Sequence, residues 1–275
     1  MTYASLMVPL ALGQSNARLL HITSDLAQRF DASVTGIVAC QPMPMVYGDG
    51  FVPAALFEQD SELIEKQMKE AEAEFRSLLQ ARAERLAWRH SVTPGSLSDY
   101  IAGEARHADL IITGVASKDL FDTSRSVNTG DLIMQAGRPV LVVPGTTGQL
   151  KLERMVVGWR DSRETRRAIA DALPLLKQAT HVSVAEIAAE NDMPAARAHV
   201  ADVAAWLQGH GIVAQAVASP SSGDDAASLY TIAQDLGADI IVAGAYGHSR
   251  LREWALGGVT RDFLLRADCC SLLSH

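Results

Sequence analysis

A cluster of glycines near the end of the sequence carries the residue types best suited to binding chemistry. Gly244 and Gly247 follow a β-branched run, and Gly257 and Gly258 precede a segment whose apolar residues recur at helical spacing. A strand that passes through glycines into a helix N-terminus presents free backbone N–H groups and a partial positive charge, which together suit a phosphate. Glycines also serve as turn residues with positive φ and as helix N-caps, so a purely structural interpretation stays open.

The spacing of these glycines makes the phosphate interpretation more specific. Gly244-x2-Gly247-x9-Gly257, followed by a small residue, resembles the ATP-binding signature of the universal stress protein family, and segment 238–249, ADIIVAGAYGHS, matches as well. The resemblance implies ATP or a related adenine nucleotide as ligand, with or without Mg²⁺. It assigns these residues of the loop to binding: Gly244, Gly247, His248, Arg250, Gly257, Gly258, Val259 and Thr260.

One position departs from the family pattern. The family usually has Ser or Thr after the last glycine, where this chain has Gly258. Loss of that hydroxyl removes one hydrogen bond, worth about 1 kcal/mol net, and Thr260 could replace it only if the turn allows. His248 and Arg250 either neutralise phosphate charge or are exposed loop charges, and Trp254 fits a hydrophobic anchor for the loop.

The resemblance implies a second set of contacts where the first strand of the second half ends. The family's usual Asp-Gly-Ser is replaced there by Arg160-Asp161-Ser162. Asp161 could accept from ribose hydroxyls or the adenine amino group, and Arg160 could meet a phosphate. Asp161 as a turn residue and Ser162 as a helix N-cap are equally open. The backbone of Ile187, at the end of the next strand, is the last contact implied.

Strands and helices alternate along the chain, and they must position these residues. Short β-branched runs and helical periodicities predict two tandem doubly wound, Rossmann-like α/β domains, each with a five-stranded parallel sheet flanked by helices. The domains cover residues 1–145 and 151–275, with 144–149 as linker. Predicted strands are 5–10, 34–39, 87–92, 109–114, 139–143, 155–159, 182–187, 212–217, 240–244 and 270–274.

The predicted helices lie between these strands, with one long irregular segment among them. Segment 41–56 is rich in Pro, Gly and aromatic residues, which is typical of a lid or a partner surface. Seven helices are predicted. In the first half, one starts after Ser15, one covers 58–86, one runs from the cap Ser96 to 106, and one starts near 131. In the second half, the helices cover 165–176, with a disturbance at Pro174, 194–210 and 222–236.

The two halves repeat one plan. Residues 108–114 align with 238–244 at an offset of 130 residues, and 137–144 overlie 268–275 with one residue of slippage. The final strands of single-domain relatives pair between two chains. The resemblance therefore implies that 140–143 and 271–274 meet within this chain as a pseudo-dimer, and it leaves association of two chains open.

The first half does not keep the glycine signature. Ser117 stands where the second half has Gly247, and Val127 and Asn128 stand where it has Gly257 and Gly258. A side chain at these turns blocks close approach of the backbone to a phosphate, so we expect a degenerate site that binds no nucleotide.

Composition limits the remaining classes of function. The 275 residues are 48% hydrophobic and 20% charged with a net charge of −8, which indicates a soluble globular protein and argues against nucleic-acid or anionic-membrane binding. The start of the chain has no signal-peptide pattern, and three cysteines without metal spacing fit a reducing cytoplasm. The histidines show no ligand spacing, so no metal is assigned.

Two functional hypotheses follow. The first is a cytoplasmic stress-response regulator that binds an adenine nucleotide in its second domain and signals to unspecified protein partners. The second is an interaction or structural module of the same fold that has lost nucleotide binding. An enzyme is less favoured, because no nucleophile, base and orienting group can be assembled from the sequence, although slow ATP hydrolysis stays open.

Overall fold

The structure is a computed structural model that describes residues 2–43, 54–81, 83, 85–115, 124–245 and 269–275. The chain divides into two compact units. The N-terminal unit is Tyr3–Ala136, and the C-terminal unit is Gly137–His275 together with Thr2.

The N-terminal unit is a doubly wound α/β unit. Its parallel strands lie in the order β3-β2-β1-β4, so the order reverses between β1 and β4. Its elements are β1 Ser5–Pro9, α1 Ala17–Phe30, β2 Ser33–Cys40, α2 Ala54–Leu79, β3 Leu86–Val92, α3 Leu97–Glu104, β4 Leu110–Gly114 and α4 Thr129–Gln135, with a short 3₁₀ helix at Ala105–His107.

The C-terminal unit repeats this plan. Strands β6 to β10 are mutually parallel, and the order of the unit is β5-β10-β9-β6-β7-β8. Its elements are β5 Val140–Val143, β6 Arg154–Trp159, α5 Arg163–Leu176, β7 His181–Ala188, α6 Met193–Gly209, β8 Ala214–Pro220, α7 Asp225–Asp235, β9 Ile240–Gly244 and β10 Cys270–Ser274, with a 3₁₀ turn at Glu190–Asp192.

Strand β5 pairs antiparallel with β10, and this pairing confirms that the two predicted terminal strands meet within the chain. Leu141 lies opposite Leu272, and both are fully buried. Because of this pairing, β5 groups with the C-terminal unit. The N-terminal unit by itself holds the four parallel strands β1 to β4, and β5 is the fifth strand of the first half in chain order. The division falls at Ala136/Gly137, before the predicted linker 144–149.

Several element boundaries differ from the sequence expectation. Helix α2 begins at Ala54, inside the segment predicted to be irregular, because its first residues are strong helix formers, and it ends at Leu79 rather than at 86. Strand β8 is displaced to 214–220, and α7 starts at Asp225 because Asp224 accepts from the Ala227 N–H at 2.9 Å. Residues 44–53 of the irregular segment lie outside the described residues.

Helix α5 continues through Pro174 without interruption, contrary to the predicted disturbance. The proline stands two residues before the helix ends, so only one hydrogen bond of the last turns is lost. Along the described ranges of the chain, no helix is both long and apolar enough to span a bilayer.

One carboxylate in each unit ties two strands together, β4 to β1 in the N-terminal unit and β9 to β6 in the C-terminal unit. Asp239 Oδ2 accepts from the N–H groups of Glu153 and Arg154 at 2.8 and 2.9 Å, while the Asp239 N–H donates to the Arg154 carbonyl at 2.8 Å. Asp109, 130 residues earlier, makes the same three bonds to the start of β1. The repeat seen in the sequence is therefore also a repeat of strand anchoring.

We predict that Asp239→Ala lowers the free energy of unfolding by about 1–3 kcal/mol, because two N–H groups lose a charged acceptor. Urea denaturation followed by circular dichroism measures the change. Asp235→Ala, at an exposed position of α7, is the control and should stay within about 0.5 kcal/mol of the parent protein. Equal effects of the two substitutions would contradict the anchoring role.

Candidate functional site

The C-terminal unit has one topological switch point, between β6 and β9. The chain leaves β6 toward β7 on one side and leaves β9 toward β10 on the other. In doubly wound sheets, ligands bind outside the carboxyl ends of the strands at such a point. We name the carboxyl ends of β6 and β9, with the start of α5, the β6–β9 crevice.

Gly244 ends β9 at this crevice and packs directly against α5. A Cβ placed on Gly244 would lie 2.6 Å from the backbone N of Thr165 and 2.7 Å from the carbonyl carbon of Glu164. Real Cβ atoms do not approach backbone so closely, so only glycine fits here. Packing alone accounts for this glycine of the motif, whether or not a phosphate binds beside it.

The start of α5 forms the other wall of the crevice. Ser162 accepts from the Thr165 N–H at 3.3 Å, which confirms the interpretation of Ser162 as an N-cap. Asp161 lies at the rim, where its carboxylate pairs with Arg166, and both side chains are more than half exposed. An exposed pair of this kind contributes little free energy, so Asp161 keeps the capacity to exchange partners.

Glu164 is a buried carboxylate that the sequence analysis missed. It lies in the first turn of α5, is 5% exposed, and accepts from Arg163 Nε at 2.5 Å. Burial acts to raise the pKa of Glu164. Hydrogen bonds from Arg163, from the Glu164 N–H and from Ser162, with the charge of Arg163, outweigh burial and lower that pKa below its usual value. Glu164 is therefore a stable anion within the crevice.

The strands on the β7 side place two further polar groups near the crevice. Trp159 ends β6, and its register partner in β7 is Glu186, whose two carboxylate oxygens each lie 3.2 Å from Nδ1 of His199. Ile187, the predicted backbone contact, is half-buried in β7 and pairs with Ser219 of β8. Asp161 follows β6 by two residues, Ile187 lies near the end of β7 and Gly244 ends β9. Their assignment to nucleotide binding stays a prediction from the sequence.

The rest of the predicted loop lies outside the described residues. This applies to Gly247, His248, Arg250, Trp254, Gly257, Gly258, Val259 and Thr260. Their assignment to nucleotide binding stays a prediction from the sequence.

In the N-terminal unit, side chains of the protein itself hold the equivalent positions. Asn128 caps α4 by accepting from the Asp131 N–H at 3.1 Å, just before the buried Thr129. Arg125, three residues earlier, pairs with the largely buried Asp60 at 2.5 Å. The absence of nucleotide binding in this unit stays a prediction from the sequence. Ser117, the other departure from the signature, lies outside the described residues.

At the start of helix α1 of the N-terminal unit, a carboxylate accepts two hydrogen bonds. Glu74 of α2 accepts from the Ser15 hydroxyl at 2.7 Å and from the Asn16 N–H at 3.0 Å. Glu74 also lines a pocket of about 470 Å³ between the β1–α1 loop and α2. A carboxylate that already neutralises the helix N-terminus disfavours a second anion there.

Comparison with known proteins places this architecture. No protein-family model and no curated protein matches the sequence. A universal stress protein structure from Archaeoglobus fulgidus DSM 4304 matches with a TM-score of 0.73, over 98% of this chain and 95% of that chain, at 13% sequence identity. The chain has the universal stress protein fold.

Two further structures are similar to the chain. A functionally unknown protein from Pseudomonas aeruginosa PAO1 covers 99% of this chain and 92% of its own length, at 15% identity and a TM-score of 0.60. A universal stress protein from Archaeoglobus fulgidus in complex with dAMP matches 52% of this chain and 98% of its own, at 18% identity and a TM-score of 0.34. At 15% identity, the likeness to the Pseudomonas aeruginosa protein is one of fold.

We predict that Gly244→Ala destabilises the protein by about 1–3 kcal/mol, because the added Cβ must displace the first turn of α5. Gly114 ends β4 at the equivalent place in the N-terminal unit, where an added Cβ meets no described atom within 4 Å. Gly114→Ala is therefore the matched control and should be nearly neutral. Urea denaturation compares the two, and equal losses would contradict the packing argument.

A second prediction concerns acid stability. Because the pKa of Glu164 is lowered in the folded state, its stabilisation is present above the ordinary pKa of 4.5 and is lost as the pH falls through the folded pKa. Glu164→Gln removes this contribution, so the variant should lose less stability than the parent between about pH 7 and about pH 3. Urea denaturation at several pH values in this range measures the loss of stability of the parent and the variant. Substitution of the exposed Glu190 by Gln should leave the parent profile unchanged.

Proposed function

We propose that the chain is a tandem universal stress protein whose C-terminal unit binds ATP or a related adenine nucleotide in the β6–β9 crevice. One observation carries the proposal. The Gly-x2-Gly-x9-Gly sequence begins at Gly244, and Gly244 ends a strand at the topological switch point of a doubly wound unit. Backbone N–H groups after such a strand are well placed to bind phosphate.

The proposed contacts divide between phosphates and nucleoside. Backbone N–H groups around Gly247, Gly257 and Gly258 would hold the phosphates, with His248 or Arg250 offsetting their charge. Val259 and Thr260 continue this binding segment. Mg²⁺, where bound, would offset further charge on a triphosphate.

The nucleoside would lie toward β6 and β7. Asp161 supplies a carboxylate for ribose hydroxyls or the adenine amino group, and the backbone at Ile187 supplies a further polar contact. Within the described parts of the chain, Asp161 sits at the rim of the crevice, where exchange of Arg166 for a ligand costs little.

Regulation rather than chemistry is the proposed role of binding. A nucleotide that binds one conformation more tightly shifts the population toward it, and a protein partner that recognises that conformation responds. We propose the division into a nucleotide-free first domain, 1–145, and a nucleotide-binding second domain, 151–275. An acidic chain whose three cysteines, all among the described residues, form no disulfide suits the cytoplasm.

A second candidate function is an interaction module that binds no nucleotide. Two observations favour it. Gly258 lacks the hydroxyl usual in the family, and the buried Glu164 places a negative charge at the start of α5, where it would repel phosphate. The choice between the two functions rests on whether the loop glycines outweigh this repulsion.

We predict that purified, nucleotide-free protein binds MgATP with about one site per chain, and that Gly247→Val abolishes binding because a side chain blocks backbone approach to phosphate. Isothermal titration calorimetry measures both. Ser117→Val, at the equivalent position of the first half, is the matched control and should bind as the parent does. No heat at millimolar ATP with folded protein would refute the nucleotide proposal and favour the interaction module.

A further inference from the structure

We infer that Trp159 recognises the nucleoside part of the ligand, by donating its indole N–H to an acceptor on the base or ribose. The inference rests on the proposed nucleotide binding and adds a specificity-determining residue to it. It starts from an unpaired polar group: Trp159 Nε1 is buried, and it has no hydrogen-bond partner in the described part of the chain.

A buried donor without an acceptor is rare in native proteins and calls for an explanation. Hydrophobic packing explains the ring of Trp159 but not its N–H group, because phenylalanine would pack there without burying a donor. Trp159 is the last residue of β6, at the switch point where a ligand is expected. A ligand bound at the end of β6 would supply the missing acceptor.

The strand register shows which way Trp159 points. A Cβ on Gly158 would lie 2.5 Å from Leu229 Cδ2, so Gly158 faces α7. Side chains alternate along a strand, and Trp159 therefore faces the opposite side. Its β7 partner Glu186 bonds His199 of α6, so the Trp159 face is the α6 face.

Gly244 of β9 belongs to the same row. Gly158 of β6 pairs with Ala243 of β9. The next residue is Trp159 in β6 and Gly244 in β9, so these two are also neighbours. A side chain on Gly244 would point at Glu164, in the first turn of α5. Along this row, Trp159 thus lies between two acidic residues, Glu164 next to Gly244 on the β9 side and Glu186 on the β7 side.

This arrangement fits a nucleoside better than a phosphate. Acidic residues on both sides of Trp159 repel phosphate oxygens. A base or ribose instead offers neutral groups of both kinds, acceptors for the Trp159 N–H and donors for a carboxylate. Glu186 has about four lone-pair sites, and His199 does not exhaust them. The glycine loop is then left to bind the phosphates.

The test compares Trp159→Phe with Trp206→Phe, which alters an exposed tryptophan on α6. Calorimetry is run on each variant and the parent with ATP, adenosine and inorganic tripolyphosphate. Trp159→Phe should weaken ATP and adenosine by about fivefold to tenfold and leave tripolyphosphate unchanged, because the lost hydrogen bond is to the nucleoside. Trp206→Phe should match the parent for all three ligands.

A second measurement keeps the inference falsifiable if Trp159→Phe does not fold. The four indole N–H resonances of the ¹⁵N-labelled parent are assigned from single Trp→Phe variants or, for Trp159, by elimination. The Trp159 resonance should shift with adenosine and not with tripolyphosphate. Normal ATP binding with an unmoved Trp159 resonance overturns this inference and leaves the proposed function intact. If the parent binds neither ATP nor adenosine, both fail together.

Discussion

The architecture of each unit depends on a single carboxylate that ties two of its strands together, β4 to β1 in the N-terminal unit and β9 to β6 in the C-terminal unit. Asp109 and Asp239 each accept two N–H groups at the start of the first strand and return one of their own. These bonds fix the register of two strands that are far apart in the chain. The register then determines which residues share the carboxyl end of the sheet, and the crevice of the C-terminal unit follows from it.

At that crevice, close packing and buried charge act together. Gly244 allows β9 to contact the first turn of α5, and that contact holds the carboxylate of Glu164 beside the strand end. Hydrogen bonds keep Glu164 ionised in spite of burial. The start of α5 therefore carries a buried negative charge beside the end of β9.

The N-terminal unit has the same scaffold but different chemistry at its strand ends. The Asn128 side chain accepts a hydrogen bond from an N–H group at the start of α4, and Arg125 is paired with Asp60. The Glu74 carboxylate accepts hydrogen bonds from the residues just before α1. Each of these contacts uses a donor or a charge that an anionic ligand would otherwise engage. Duplication thus preserved the fold in both units, while the side chains at a few turn positions differ between them.

The sequence by itself determined the order of strands and helices, the duplication, and the caps at Ser96 and Ser162. Those features are encoded over a few residues, by periodicity of apolar residues and by capping chemistry. Only the tertiary structure decided that Glu164 is buried, that Gly244 has no room for a side chain, and that the Trp159 N–H has no partner among the described residues. The physical reason is that burial and hydrogen-bond satisfaction depend on residues that are distant in sequence. The packing of strands and helices brings those residues together.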